Sequence, residues 1–436
     1  MSESASNTSS NSRIELRMSA RSGVYLRFCS FRCLRKIAHR GAIWDESAGS
    51  GRFVEKLGSV IMDNGTRTSG SDRSLRVLGF ESFDRGSHGQ VRRSFQDHAR
   101  HDWKWITRPG RGWKWRMRTG AAELAADVRR QADQWGGWVP DVLFATSLIG
   151  LGDLIALLPR EWRHVPSVLY MHENQLAYPV RKEFAANDDR DLQFAVTNAM
   201  SMLVADRVVF NSRWNMDSFL GGIDALLGKS PDSTISGASE VIAGKSDVAW
   251  PPVEATPGSR EVLERVLHNV PVIVWPHRWE HDKGPSELLE TARSLRKVMD
   301  ARWIILGEQF ADIPEPLSVF LDEFQADILH AGHIESRADY LQILASADWV
   351  LSTADHEFFG VAVVEAMLMG CLPWLPERLS YPELVPDSAK GLSPLAPPDD
   401  PSGVRAACVE WLSPCLAGRA VARIEQVLSD AAVEST

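Results

Sequence analysis

The sequence predicts an α/β protein of two doubly wound, Rossmann-like lobes facing a central cleft. Three observations carry that prediction. From residue 74 onward, short apolar runs of the kind that form buried parallel strands alternate with stretches of helical period. The alternation pauses over residues 228–258, rich in Ser, Gly, Pro and Asp, and then restarts. With 436 residues, the chain is long enough for two full cores.

Residues 1–73 stand apart. They are rich in Ser, Arg and Gly, have no sustained period and lack the apolar core of a signal peptide, so they read as a disordered extension or an upstream start. The first lobe then spans 74–250. Its predicted strands are 75–80, 142–145, 167–171 and 208–210, with a loop carrying G-S-H-G (Gly86 to Gly89) and a short helix after the first. A helix is expected over 117–135, and another over 214–220 behind an Asn211-Ser212 cap. The linker ends at 251–258. The second lobe, 259–436 with its C-terminal helices, repeats the pattern: strands at 272–275, 303–306, 329–334 and 349–353, helices at 285–299, 316–324 and 337–345. Residues 404–412 have the period of a helix.

Composition excludes some classes. Charged residues make up 24% and hydrophobic residues 44%, as in ordinary soluble enzymes, and no apolar run reaches the roughly 18 residues of a membrane span. The five cysteines are odd in number and scattered, which points to a reducing, cytoplasmic setting rather than a disulfide framework. Cys29 and Cys33 have no second ligand pair with matching spacing, so no metal is expected. A net charge of −9 argues against broad nucleic-acid affinity, although charge is locally uneven.

The densest chemical signal is D-H-E-F-F-G-V-A-V-V-E-A-M-L-M-G, Asp355 to Gly370. It follows a buried strand and opens a helix near Gly360, where free N–H groups and the helix dipole make a seat for phosphate. Glu357 and Glu365 stand eight residues apart. On one helix that is roughly 12 Å at about 1.5 Å per residue, too far for the roughly 5–9.5 Å of paired glycosidase carboxylates. They suit opposite ends of one long ligand, such as a nucleotide sugar, with solvated acids on a core helix as the plain alternative. P-H-R-W-E-H-D-K-G, Pro276 to Gly284, places Arg278 and Lys283 on a strand-to-helix loop, where fixed cations can neutralise a departing diphosphate. A solvated turn laced with ion pairs would read the same way.

The first lobe offers M-H-E-N-Q-L-A-Y-P, Met171 to Pro179, a polar cluster of His172, Glu173, Asn174 and Gln175 after a strand; with Leu at 176 it is not a zinc-protease helix. Gly86, Ser87 and His88 follow the first strand, where glycine lets a backbone approach a phosphate or sugar. In residues 101–120, Lys104, Arg108, Arg111, Lys114, Arg116 and Arg118 alternate with Trp103, Trp105, Trp113 and Trp115. Cations that track phosphates and indoles that stack on unpaired bases give this stretch the look of an RNA footprint, unless the tryptophans are core.

E-F-F-G-V-A-V-V-E-A-M with Arg278 and Lys283 resembles the retaining family 4 glycosyltransferases of the GT-B fold. More narrowly, G-S-H, K-W-R-M-R-T, M-H-E-N-Q-L-A-Y-P, F-N-S-R-W-N-M-D-S-F-L, W-P-H-R-W-E-H-D-K and Y-P-E-L-V-P look like the tRNA-queuosine alpha-mannosyltransferase family over about residues 74–386. That resemblance implies mannose transfer from the nucleotide sugar GDP-mannose to queuosine in the anticodon loop of tRNA-Asp, with retention, no cofactor and no required metal. It implies Arg278, Lys283 and the amides of Phe359, Gly360 and Val361 on the diphosphate, Glu365 on the ribose, Glu357 on the mannose and His172 near the sugar. Gly86, Ser87 and His88 would also face the donor. Lys104, Arg108, Arg111, Trp113, Lys114, Trp115, Arg116, Arg118, Asn174 and Gln175 would face the acceptor RNA. Two other functions remain open: the same donor chemistry on a glycolipid or polysaccharide, and a non-catalytic RNA-binding protein with a decayed donor site.

Overall fold

The structure is a computed structural model that describes residues 73–177, 189–230, 232, 235–309 and 312–434. The readings of residues 1–72, with Cys29 and Cys33, and of Tyr178 and Pro179 lie outside the described residues.

The first sheet has six parallel strands: β1 (Arg76–Asp84), β2 (Asp102–Pro109), β3 (Val142–Thr146), β4 (Ser167–Met171), β5 (Arg207–Phe210) and β6 (Ser246–Val248), in spatial order β2-β1-β3-β4-β5-β6. Every residue of β3 and β4 is buried, which is why their apolar runs show no alternation. The helices of this part are α1 (Gly86–His98), α2 (Trp113–Gln131), α3 (Leu151–Leu157), α4 (Asp189–Val204), α5 (Arg213–Leu227) and α6 (Ala238–Ala243). Ser212 caps α5, accepting from the Asn215 amide as the sequence predicts.

After α7 (Arg260–Glu264), the second sheet comprises β7 (Val272–Pro276), β8 (Arg302–Leu306), β9 (Ile328–Gly332), β10 (Trp349–Leu351) and β11 (Leu372–Trp374), in order β11-β10-β7-β8-β9, all parallel. Its helices are α8 (Pro285–Arg296), α9 (Glu315–Glu323), α10 (Arg337–Ser346), α11 (Val361–Leu368), α12 (Tyr381–Leu384), α13 (Pro401–Trp411) and α14 (Ala417–Glu434). Trp275, Trp303 and Trp349 are fully buried on adjacent strands and anchor this core. Among the described residues, no helix is long and apolar enough to cross a membrane.

Several sequence expectations are corrected. G-S-H-G is not a loop ahead of a helix: it is the first turn of α1, because β1 continues to Asp84. The polar residues that extend β1 are satisfied in place, Ser82 Oγ donating to the Leu148 carbonyl at 2.6 Å and Glu81 accepting from the Phe83 amide at 2.7 Å. Helix α2 starts at Trp113, four residues early, behind Gly112 in the left-handed region. The Ser- and Gly-rich stretch 228–258 is not one loop. It holds α6, tied to α5 through Asp224 and Ser239, and the edge strand β6.

Residues 259–436 do not all stay with the second sheet. Helix α13 packs on α11, whereas α14 lies against the first sheet. Its Val421, Ile424, Val427, Leu428 and Ala431 recur at helical spacing and bury against Val77, Phe95, Phe144, Val168 and Tyr170. Glu425 on the same helix is fully buried, accepting from the Arg100 and His101 amides at 3.0 Å and from Trp103 Nε1 at 3.3 Å.

Both sheets have one point where the chain reverses its direction of winding: between β1 and β3 in the first, and between β7 and β10 in the second. Ligands of open parallel sheets bind beyond the carboxyl ends of the strands at such points.

Candidate active site

The two motifs of the second lobe meet at its reversal point, since residues 277–283 leave β7 and residues 352–360 leave β10. The two loops touch: a Cβ on Gly284 would stand 1.9 Å from the Thr353 carbonyl oxygen, so only glycine lets them pass. Lys283 is buried, donates to the His356 carbonyl at 2.8 Å and pairs with Asp282 at 3.2 Å and Glu357 at 3.3 Å. Burial opposes its charge, but Glu357 and Asp282 outweigh it and its pKa is raised. Burial likewise pushes Glu357 up, yet Lys283, with His277 and His356, holds it down to about 2. Glu357 is therefore a fixed carboxylate, and its side chain is 21% exposed toward the cleft. Burial and Lys283 depress His277 to about 3 and His356 to about 4, so both flanking imidazoles are neutral.

Arg278 is half-exposed and pairs with Glu280 at 3.0 Å. Its charge reaches across to Glu173 on the first lobe, whose pKa burial raises against the pull of His88 and Arg278. Gly360 caps α11 at φ 95, a left-handed conformation that turns the chain into the helix with no capping hydrogen bond from its own side chain. Phe359 and Val361 bring only backbone to this turn: Phe359 is buried beside Trp250, and Val361 packs on the second core. Glu365 is buried one helical face away, with Arg337 Nη2 at 2.6 Å and the Tyr340 hydroxyl at 2.9 Å on its two oxygens.

On the first lobe, His88 and His172 come together. Their rings lie 3.9 Å apart with 30° between planes, and His88 Nδ1 is 3.2 Å from both oxygens of Glu81, a fully buried acid. Burial works against a charged His88, but Glu81, with Glu173 and Asp84, outweighs it and the pKa is raised. Burial and the neighbouring His88 push His172 well below the usual imidazole range. The ligating atoms of Glu81, His88 and His172 lie within 4.8 Å of one another. An ion shared by two imidazoles must sit near both ring planes, and planes this close to parallel converge well beyond the roughly 2.0–2.1 Å of a metal–nitrogen bond. The rings as placed do not fit a shared ion.

Gly86 and Ser87 open α1 beside this cluster, and the preceding Arg85 forms an ion pair with Glu308 of the second lobe. The lobes also join where Ser212 Oγ donates to the Phe358 carbonyl at 2.5 Å, and where Glu383 accepts from the Arg213 and Trp214 amides at 2.9 and 3.2 Å. Asn174 is fully buried and spent inside the first lobe, donating to Asn215 Oδ1 at 2.8 Å and accepting from the Ala177 amide at 2.8 Å. Gln175 donates to Glu173 at 2.9 Å. Both therefore hold the shape of the loop that carries His172.

The Trp- and Arg-rich stretch divides. Trp103 and Trp105 lie on β2, stacked on each other and against Phe95 and Phe144. Lys104 on the opposite face sits over the Trp135 and Trp138 rings at 5.6 and 5.4 Å. Arg108 pairs with Asp127 at 2.6 Å, and Arg116 with Glu123 at 2.7 Å. Arg111 is exposed on the turn into α2, Lys114 lies over the Trp113 ring at 5.3 Å, and Arg118 is near Trp115, which is 64% exposed.

Glu81, Arg337 and Tyr340 were absent from the sequence reading. For Glu81 a signal existed, since it is a carboxylate ending an otherwise apolar run seven residues before His88. Arg337 and Tyr340 reach Glu365 from another helix, and no spacing links them.

Solved structures share this architecture at low identity. The chain aligns with a glycosyltransferase from Rickettsia africae at TM-score 0.54 and 13% identity, covering 83% of this chain and 100% of that one. With Anabaena HepE in complex with UDP the TM-score is 0.50 at 18% identity, covering 83% and 97%. The fold is GT-B. Residues 270–413 match the family described as glycosyl transferases group 1, and residues 76–253 match tRNA-queuosine alpha-mannosyltransferase N-terminal. The Drosophila melanogaster tRNA-queuosine alpha-mannosyltransferase is 37% identical over 323 residues, 71% of this chain and 81% of that protein. This chain is therefore a glycosyltransferase enzyme, and it belongs to the tRNA-queuosine alpha-mannosyltransferase family.

Proposed function

We propose that this enzyme transfers mannose from GDP-mannose, with retention, to queuosine in the anticodon loop of tRNA-Asp in the cytoplasm. The observation that carries the donor half is the buried Lys283–Glu357 pair at the second sheet's reversal point, beside the uncapped start of α11. Glu357, ionised and partly exposed, accepts hydrogen bonds from mannose hydroxyls. The α11 amides and the Arg278 guanidinium take the diphosphate, whose charge grows as the sugar leaves. Lys283 is already shared by two carboxylates, so it contributes mainly by keeping Glu357 charged and in place. Glu365, aimed by Arg337 and Tyr340, receives the ribose, and neutral His172 faces the sugar from the first lobe. The departing phosphate takes the acceptor's proton, so no second catalytic carboxylate is needed. The family membership, the exposed Arg111, Trp115 and Arg118 and the half-buried Lys114 support the RNA half, and the buried free thiols of Cys371, Cys408 and Cys415 suit a reducing compartment.

The test is incubation with GDP-mannose and queuosine-containing tRNA, with unmodified tRNA as control, followed by mass spectrometry of the digested nucleosides. One hexose added to queuosine alone is expected. No addition while GDP-mannose still binds would keep the donor site and reject the acceptor. Lys283→Ala should lower turnover by about 10²-fold or more, and unchanged turnover would remove the pair from the mechanism.

A further inference from the structure

The proposed roles leave the buried Glu81 carboxylate at the cleft unused. It ends the apolar part of β1 at the first sheet's reversal point, where an unpaired acid would be costly. Its oxygens meet three elements. Both stand 3.2 Å from His88 Nδ1 on α1, one accepts from the Phe83 amide at 2.7 Å, and one lies 3.9 Å from His172 Nε2 in the loop after β4. That Nε2 atom is buried with no hydrogen-bond partner among the described residues. The Tyr170 ring stands edge-on to His172 at 4.8 Å, and Phe83 stands edge-on to His88 at 5.9 Å. Each imidazole thus has the other on one face and an aromatic ring at a steep angle beside it, and among the described residues Glu81 supplies the hydrogen bond that orients His88.

We propose that Glu81 is a positioning residue, clamping His88 beneath His172 and thereby setting the angle at which His172 meets the transferred sugar. This rests on the reading of His172 as the first-lobe contact to the donor sugar. The charged and titratable groups facing His88 are Glu81 and Asp84 from β1 and, from the loop after β4, His172 and Glu173. The acids favour a protonated His88, in which the Nδ1–H contact to the two Glu81 oxygens gains the attraction of opposite charges. The clamp is therefore strongest below the His88 pKa and weakens as pH rises through it.

Glu81→Gln in the full chain keeps the shape and removes the charge. In NMR titrations of ring-labelled histidine, His88 should then lose its proton at lower pH. In steady-state assays kcat should fall by about tenfold or more, with the KM for GDP-mannose within about threefold, because the diphosphate groups are untouched. The alkaline limb of the kcat profile should move to lower pH, and Glu81→Asp should restore part of both shifts. His88→Asn gives a second route: it should abolish that limb. An unchanged His88 titration in Glu81→Gln overturns the proposal, as does a wild-type kcat profile in either Glu81→Gln or His88→Asn. The titration needs no substrate, so a wild-type enzyme inactive on GDP-mannose and queuosine tRNA would reject the proposed reaction and leave the Glu81–His88 result standing.

Discussion

The tripeptide W-K-W occurs twice within thirteen residues, at Trp103 to Trp105 and at Trp113 to Trp115, and the structure puts the two copies to opposite uses. On β2, residues two apart share a face, so Trp103 and Trp105 stack with ring centroids 5.0 Å apart and 10° between planes, joining Phe95, Phe144 and α14 in the first core. On α2, two residues are separated by about 200° of rotation. Trp113 accordingly turns inward to Phe194, at 5.2 Å, while Trp115 turns out to 64% exposure. Local period, rather than composition, decides which indoles are left to meet a ligand. The candidate RNA surface thereby narrows to the start of α2, because Arg108 and Arg116 spend their charge on Asp127 and Glu123.

The contrast can be broken experimentally. Trp105→Ala should cost about 3 kcal/mol or more of stability in urea unfolding and leave the RNA affinity of the folded fraction unchanged; weaker RNA binding at an unchanged midpoint would put the first pair at the surface. Trp115→Ala should do the reverse. Stability should stay within about 0.5 kcal/mol, while binding to single-stranded RNA of the anticodon-loop type weakens by about 1–3 kcal/mol per stacked base. Gly79 sharpens the core side. A Cβ there would lie 2.5 Å from the Trp105 ring, so Gly79→Ala should destabilise by about 1–3 kcal/mol, and combined with Trp105→Ala the loss should be less than the sum. The smallest effect belongs to Lys114→Ala, which should lower the salt dependence of RNA binding by about one in slope, with little change in fold stability.

What the sequence made legible follows the same division. Buried parallel strands such as β4 and β7 are bare apolar runs, and both cleft motifs of the second lobe leave such strands, so their convergence could be inferred before it was seen. Strand β6, Ser246–Val248, could not be. It sits at a sheet edge, half-buried, with no apolar run or alternation to mark it. The start of α1 was hidden because Arg85 supplies no side-chain cap. Glu81 and the Arg337–Tyr340–Glu365 triad were hidden for a different reason: they are contacts between elements distant in sequence, and a lone acid on a strand looks the same whether it faces solvent or a buried imidazole.

Helix α14 has a consequence for how the protein is made. The face of the first sheet that it covers, including Val77, Phe144, Val168 and Tyr170, is synthesised before the second lobe and stays uncovered until that lobe has been translated. Lobes made first usually fold first during translation. Here the order is inverted for completion: the first lobe, although made first, must hold a bare apolar face, with the Arg100 and His101 amides lacking Glu425, until the helix that seals it emerges.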